Sequence, residues 1–545
     1  MLRFALPNLG QWTPRHAHLI GPDDLALPAE ISLGGNMIEA SKRVEGAASL
    51  AIQYPLPLPT GGTLTLRTTL LPERQAPYLL TLELARHQVM LLLNKLEEWA
   101  LFDLPASDPV MQKVEQARSA WTHALVVQRR SGGTGLFSAE AESAALDALI
   151  AAVEAGESLA LLSARQQHAR RISGELDKLA KRPPPANAIT EHEAQEARKR
   201  AAGSAGVILP ETPKVGVGVC PAIFAQPICD AITACADFVS VPMRWAELEP
   251  TEGKYSFART DRWIEWAVTK AKLPVTAGPV LDFDAGGVPD FLYIWEHDYE
   301  TLRDVVIEHV KQVVTRYRRT VNTWTICSGL HVASNFAISY EQAVDLTRVC
   351  VLIVNKLHPS AKVQIEIAQP WGEYTAEVSA RAARSIPPAV YCELLNQVGV
   401  EFDAVALKVQ MGVPAAGRST RDLIALSALL DRYGRLDKPI ALSVLGAPAS
   451  PATAQGEDAP EAGLWRRPWS PEQQAVWATR VMAIAAGKPY VKSICWQEIV
   501  DGPAPCMPNG GLLNAQGQPR PAMTAIKTLR DAMRSRTPNL PGAEP

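Results

Sequence analysis

From about residue 207 onward, short apolar runs alternate with stretches of helical periodicity. The runs are 215–219 (VGVGV), 238–243 (FVSVPM), 274–283 (PVTAGPVLDF), 323–328 (TWTICS), 362–368 (KVQIEIA), 404–410 (AVALKVQ), 439–445 (PIALSVL) and 492–499 (KSICWQEI). Between and after them, apolar residues recur three and four apart over 259–272, 300–319, 339–357, 419–433, 471–487 and 521–534. Continuous apolar runs read as strands buried on both faces, and the amphipathic stretches read as helices laid over them. Eight such units predict a (β/α)8 TIM barrel over 207–535. The alternative is a doubly wound open sheet, but no Gly-rich phosphate loop favours it.

The first part of the chain has a different rhythm. Over residues 1–85 the segments AASLAIQYPL, GTLTLRTTLL and YLLTLEL alternate like strands and are separated by Pro and Gly breaks such as PLPTGG. They predict a small β-rich domain. Residues 86–182 change to helical spacing, with Ser138 as an N-cap and Pro183 as a stop. An antiparallel helical bundle is expected, whose apolar faces close on each other or on a partner chain. Residues 183–206 are Pro-rich, then charged, then small, and read as a linker. Residues 536–545 read as a tail. The fold class is therefore α/β: a barrel preceded by a β-rich domain and a helical segment.

Size and charge narrow the function classes. A chain of 545 residues exceeds one ordinary core. With 54 basic against 57 acidic residues, no nucleic acid or anionic membrane is expected as a partner. No apolar run is long enough to span a membrane, and the first residues lack the pattern of a signal peptide, so the expected location is the cytoplasm. The eight cysteines are irregularly spaced, and several lie in apolar segments. They read as buried thiols, and no His/Cys pair has zinc-ligand spacing. No metal and no cofactor are expected.

Four segments resemble glycoside hydrolase family 10, the β-1,4-xylanase family. VPMRWAELEPTEGKYSFARTDRWIEWA (241–267) is similar to N-x-M-K-W-x-x-x-x-P-x-x-G-x-Y-x-F and the Asp-bearing helix after it. The stretch ending TVNTWTICSG resembles R-Y-x-x-x-V-x-x-W-D-V-V-N-E. KPIALSVLG stands where the family has K-P-I-x-I-T-E-L-D, and GGLLNAQGQPRPAMTAI is similar to its closing segment. The order is the family's, over roughly 207–535. The resemblance implies a retaining glycosidase site with two Glu residues, one acid/base and one nucleophile. Here the acid/base position is Gly329, beside Ser328, and the nucleophile position is Val444. The family's Asn and Lys before the second-strand Trp become Val241 and Arg244. Its third-strand His pair falls near Gly278 and Phe283, and its sixth-strand Gln and His align with Lys408 and Gln410. Glycine has no proton to donate and valine no lone pair to attack with, so xylanase chemistry by the family mechanism is not expected.

The strand ends still offer polar groups: Asp282, Asp284, His331, Glu373, Lys408, Gln410, Gln497, Glu498 and Asp501. Trp371 and Trp496 are candidates for stacking on a sugar, with Trp245 and Trp469 as further ones. Glu366 reads as a strand residue paired with a buried cation. The leading expectation is a degenerate or repurposed barrel that binds an oligo- or polysaccharide without xylanase-type catalysis. One rival is an active hydrolase with relocated carboxylates, Glu373 and Glu498. The other is an assembly protein using the barrel as scaffold, with a homo-oligomer or partner contact through the N-terminal region.

Overall fold

A computed structural model describes residues 1–6, 17–59, 61–130, 138–175, 211–284, 286–376, 384–415, 417–451, 462–502, 507 and 509–544. The 183–206 connection lies outside them. The barrel strands are β9 (Lys214–Gly218), β10 (Phe238–Val241), β11 (Val275–Ala277), β12 (Leu281–Asp282), β13 (Thr323–Ser328), β14 (Lys362–Ile367), β15 (Ala404–Gln410), β16 (Ile440–Gly446) and β18 (Val491–Trp496). They run β11-β10-β9-β18-β16-β15-β14-β13-β12, and β11 also pairs with β13, so the sheet closes. Every pairing in it is parallel.

The eight strand positions are thus filled, the third in two pieces. The break between β11 and β12 holds Gly278 at φ +130°, where an added Cβ would lie 2.1 Å from the Thr325 carbonyl oxygen. No other residue fits that approach. The break therefore brings Asp282 back beside β13, opposite Ser328.

The family-like motifs prove to be supports of the scaffold. In the helical turn Trp245–Leu248, Trp245 donates its indole N–H to Glu249 (2.7 Å) and stacks on His309 at 4.0 Å. Glu249 also accepts Gly253 N–H at 2.8 Å, and against the upward push of burial His309 first, then Trp245 and Gly253, hold its carboxyl down at about 2. Tyr317 donates to Asp261 (2.8 Å), and Arg316 pairs with the same carboxylate, locking two barrel helices together.

The described residues among 1–79 form two sheets. One is β4 (Ala29–Gly34), β5 (Met37–Lys42), β1 (Leu2–Ala5) and β8 (Tyr78–Leu79), in that order. The other contains β7 (Gly62–Arg67), β6 (Ser49–Leu56), β2 (His18–Ile20) and β3 (Ala26–Leu27). YLLTLEL, expected as a strand, gives only β8 and then turns into helix α1 (Leu80–Glu98). Its residues are apolar all round because α1 is buried on more than one side, which hides the helical period. Helices α2 (Pro109–Arg130) and α3 (Ala139–Ile172) complete the bundle, and Ser138 caps α3 by accepting Ala141 N–H (3.1 Å).

The N-terminal region makes direct contacts with the barrel. The fifth strand of its second sheet, β17 (Leu464–Trp465), comes from the barrel loop after β16 and pairs antiparallel with β7. Glu157 of α3 accepts Trp465 Nε1–H at 2.6 Å and Arg466 Nε–H at 2.8 Å. Asp431, on the barrel helix Leu423–Gly434, receives Lys95 Nζ of α1 at 2.7 Å and Lys488 Nζ at 2.6 Å. Tyr490 OH (2.6 Å) and Trp99 Nε1 (3.2 Å) donate to it as well. One continuous apolar core runs from Leu2 and Phe4 through α3 into the barrel. The expected tail also packs back: Leu540 and Ala543 are buried, and His168 bonds the Thr537 carbonyl. Among the described residues no helix is long and apolar enough to cross a membrane.

Candidate functional site

Two irregularities shape the C-terminal mouth of the barrel. Between β13 and β14 the register steps from Thr325↔Gln364 to Cys327↔Ile365, so Ile326 is an extra residue. Between β15 and β16 it steps from Leu407↔Leu442 to Lys408↔Val444, leaving Ser443 extra. Such bulges re-aim side chains. The first puts Thr325 and Ser328 on one face: Thr325 accepts Gln364 Nε2–H at 2.7 Å, and Ser328 donates to Glu366 Oε1 at 2.8 Å. The second lets Ser443 donate to Glu366 Oε2 at 2.5 Å. Ser443 and Glu366 are two strands apart, with β15 between, so they meet inside the barrel.

Asp282, Ser328 and Glu366 occupy one register row across β12, β13 and β14. Burial pushes the Asp282 carboxyl up to about 6. The Lys408 charge and the Asp284 N–H (2.9 Å) pull it down, while the Asp284 and Glu366 charges push it up. Lys408 makes no ion pair or hydrogen bond with a described residue. Two residues along β15, Gln410 donates from Nε2 to Gln497 Oε1 at 2.7 Å. Both glutamines are buried, and Gln410 Oε1 and Gln497 Nε2 have no partner among the described residues. The mouth therefore holds an acid of raised pKa, a carboxylate clamped by two hydroxyls, an ammonium whose charge acts on Asp282 and, among the described residues, two amide atoms without a partner.

Other expected site residues are placed differently. His331 is not at the mouth surface: it is 0% exposed, between Tyr391 (ring centroids 5.5 Å apart) and Tyr374 (5.6 Å). Burial drives its pKa down to about 3, so it is a neutral core imidazole. Trp496 is also 0% exposed and donates Nε1–H to the Gly510 carbonyl at 2.9 Å. A sugar would reach its ring only by displacing the 510 loop. Trp371 is partly exposed, with Arg421 over its ring at 4.0 Å and the side chain packed against the hydrophobic core. Glu373 is an anchor: it pairs with Arg421 and accepts Gly417 N–H at 2.7 Å, tying the loops after β14 and β15 together. Glu498 follows the C-terminal end of β18 and is buried.

Asp284 is an exposed turn residue whose carbonyl accepts Gly287 N–H (2.9 Å). Asp501 braces the last loop through Arg520 (2.6 Å) and Gly511 N–H (2.8 Å). Trp469 is buried and bonds the Gly463 carbonyl (3.2 Å). Phe283 packs on Phe336 at 4.7 Å. Of the two carboxylates expected as a relocated pair, Glu373 is thus held by Arg421 and Gly417 N–H, and Glu498 is buried. Glu366 is a strand residue as expected, but its partners are the Ser328 and Ser443 hydroxyls and not a buried cation, because the bulges that turn both serines toward it leave no trace in periodicity. The signal available was its place: Glu366 is the penultimate residue of the barrel strand Lys362–Ile367.

Gly329, where the resemblance puts the acid/base Glu, has φ +65°, and an added Cβ would sit 3.2 Å from Ala368 Cβ. Val444, at the nucleophile position, pairs with Lys408 in the ladder.

Residues 232–329, from the helix Gln226–Cys235 to the end of β13, match the model of glycosyl hydrolase family 10. Among solved structures, the chain is similar to xylanase 10B from Thermotoga petrophila in complex with xylobiose, at 16% identity and TM-score 0.44, covering 59% of this chain and 94% of that one. Native xylanase 10B from Thermotoga maritima gives 16% identity, TM-score 0.43 and coverage of 60% and 97%. The intracellular xylanase of Thermoanaerobacterium saccharolyticum, as a mutant with xylotetraose, gives 15%, 0.43, and 58% and 95%.

Proposed function

We propose that this chain is a repurposed family-10-type barrel that binds a carbohydrate at its mouth and does not use the family's two-glutamate chemistry. The family match over 232–329 supports a carbohydrate as the ligand class. The observation that carries the reading is Gly329: the acid/base position has a left-handed backbone that disfavours any side chain. Around it, Ser328, Glu366, Lys408, Gln410 and Ser443 form a polar mouth lined by donors and acceptors suited to sugar hydroxyls. Trp371, partly exposed, contributes aromatic surface at the rim.

The test is calorimetry of the full chain against xylo-, cello-, manno- and chito-oligosaccharides. At least one should bind, and Glu366→Ala should weaken it by at least tenfold, since two serine hydroxyls lose their acceptor and the sugar loses its own. No binding to any of the four series would overturn the reading.

A further inference from the structure

Asp282 and Glu366 are separated by two strand spacings in one register row. Their Cα atoms are therefore roughly 10 Å apart, and inward-pointing side chains bring the carboxyl groups closer. In inverting glycosidases the two carboxyl groups stand about 6.5–9.5 Å apart, leaving room for a water under the sugar. Glu366 faces the interior of the barrel mouth, as the Ser443–Glu366 bond across β15 requires, and Asp282 shares its register row and feels the Lys408 and Glu366 charges. The buried, unpartnered Gln410 Oε1 and Gln497 Nε2 are polar atoms that a bound ligand or water would satisfy.

We propose that Asp282 and Glu366 are an acid–base pair that hydrolyses a glycosidic bond in the mouth, with inversion at the anomeric carbon. The inference rests on the carbohydrate reading above. As the bond from the anomeric carbon to the leaving oxygen breaks, Asp282 gives its proton to that oxygen. A water oxygen bonds to the opposite face of the anomeric carbon and gives one proton to Glu366. Solvent then reprotonates Asp282 and takes the proton from Glu366, and no other reactant is needed. Each Glu366 oxygen accepts one serine hydroxyl and keeps a second lone pair for the water.

The charged groups facing Asp282 are Lys408 on β15, Glu366 on β14 and Asp284 on its own loop. With its carboxyl lifted to about 6, Asp282 still holds a useful share of protons near neutrality, as a general acid must.

The experiment uses the full chain with 4-nitrophenyl and 2,4-dinitrophenyl β-glycosides of xylobiose, cellobiose, mannobiose and chitobiose, from pH 5 to 8. At least one pair should be cleaved, and cleavage of the nitrophenyl glycoside should fall as pH rises through about 6. Asp282→Asn should lose about 100-fold or more on the nitrophenyl glycoside and far less on the dinitrophenyl one, whose leaving group needs no proton. Glu366→Gln should lose similarly on both, and the first product should be the α anomer by NMR. Equal loss on both leaving groups in Asp282→Asn, or a β anomer formed first, would overturn the inference. Binding of a disaccharide without any cleavage would overturn it and leave the carbohydrate reading standing. Neither binding nor cleavage would overturn both.

Discussion

Replacing Asp431 with alanine removes the anion at the junction between α1 and the barrel. The wild-type carboxylate receives Lys95, Lys488, Tyr490 and Trp99. Burial alone would raise its pKa, but the Lys488 and Lys95 charges hold it below the usual range. After the substitution Lys95 keeps Glu98 at 2.7 Å, on the rim of the junction. Lys488 keeps the face of Trp99, 4.6 Å from the ring centroid, and the Glu98 charge beyond it, and becomes a buried ammonium that has lost its ion-pair partner. Breaking a buried pair by removing one partner costs about 3–5 kcal/mol. Equilibrium urea unfolding, followed by Trp fluorescence, should show a loss of that size for Asp431→Ala.

The cost lies in the stranded charge, so removing the charge should recover much of it. Asp431→Ala with Lys488→Met should lie at least about 1.5 kcal/mol above the single variant. The wild-type contribution should also be lost as pH falls through the depressed pKa of Asp431, because the ionised form is the one the lysines hold. A single variant within about 1 kcal/mol of wild type, or a double variant no better than the single, would refute the reasoning.

Other expectations follow from the mouth and the interface. Gly329→Glu with Val444→Glu should add no xylan turnover over the native chain in a reducing-sugar assay, and Gly329→Glu alone should cost about 1–2 kcal/mol through its left-handed backbone. A large gain in turnover would show that the surrounding groups still support the family chemistry. Trp371→Ala should weaken the bound oligosaccharide by about 1 kcal/mol with little change in melting temperature, whereas Trp496→Ala should destabilise by about 3–5 kcal/mol, both read by calorimetry. Asp422 caps the helix Leu423–Gly434, accepts Gln88 Nε2–H at 3.0 Å, and is pushed up to about 6 by burial. Its folded value exceeds the unfolded one, so its ionisation costs stability as pH rises from about 4 to 6. Asp422→Asn keeps the cap and should gain on wild type over that window, by at most about 3 kcal/mol, then level off. A melting-temperature difference independent of pH would contradict this.

The barrel was legible because its strands are short, apolar on both faces and cleanly bounded. Thr323–Ser328 and Ala404–Gln410 fall where the apolar runs predict. The helix Pro471–Gly487 does too, since Ser470 caps it and Pro471 opens it. The short helices Gln226–Cys235 and Pro388–Gln397 gave too few turns for a period and went unread. The candidate site was half legible. Asp282, Lys408, Gln410 and Gln497 were picked out by their place at strand ends. His331 and Trp496 were picked out by the same rule and are core, because the following loops fold back over them. Glu366 and Ser443 depend on two bulges, which are a matter of register between strands and have no signature within either strand alone.

The strand β17 sets a timetable for the chain as it is made. The outer edge of β7 meets its partner, Leu464–Trp465, only after roughly 400 further residues have been added. At about 5–20 residues per second the ribosome takes some 20–80 s to deliver them. Throughout that interval the backbone edge of β7, and the Glu157 carboxylate that later takes Trp465 and Arg466, await a partner still being synthesised. An open edge on a nascent sheet invites pairing with other chains. Slowing elongation between these points should therefore lower the soluble yield, and a chaperone that shields the first 80 residues should restore it.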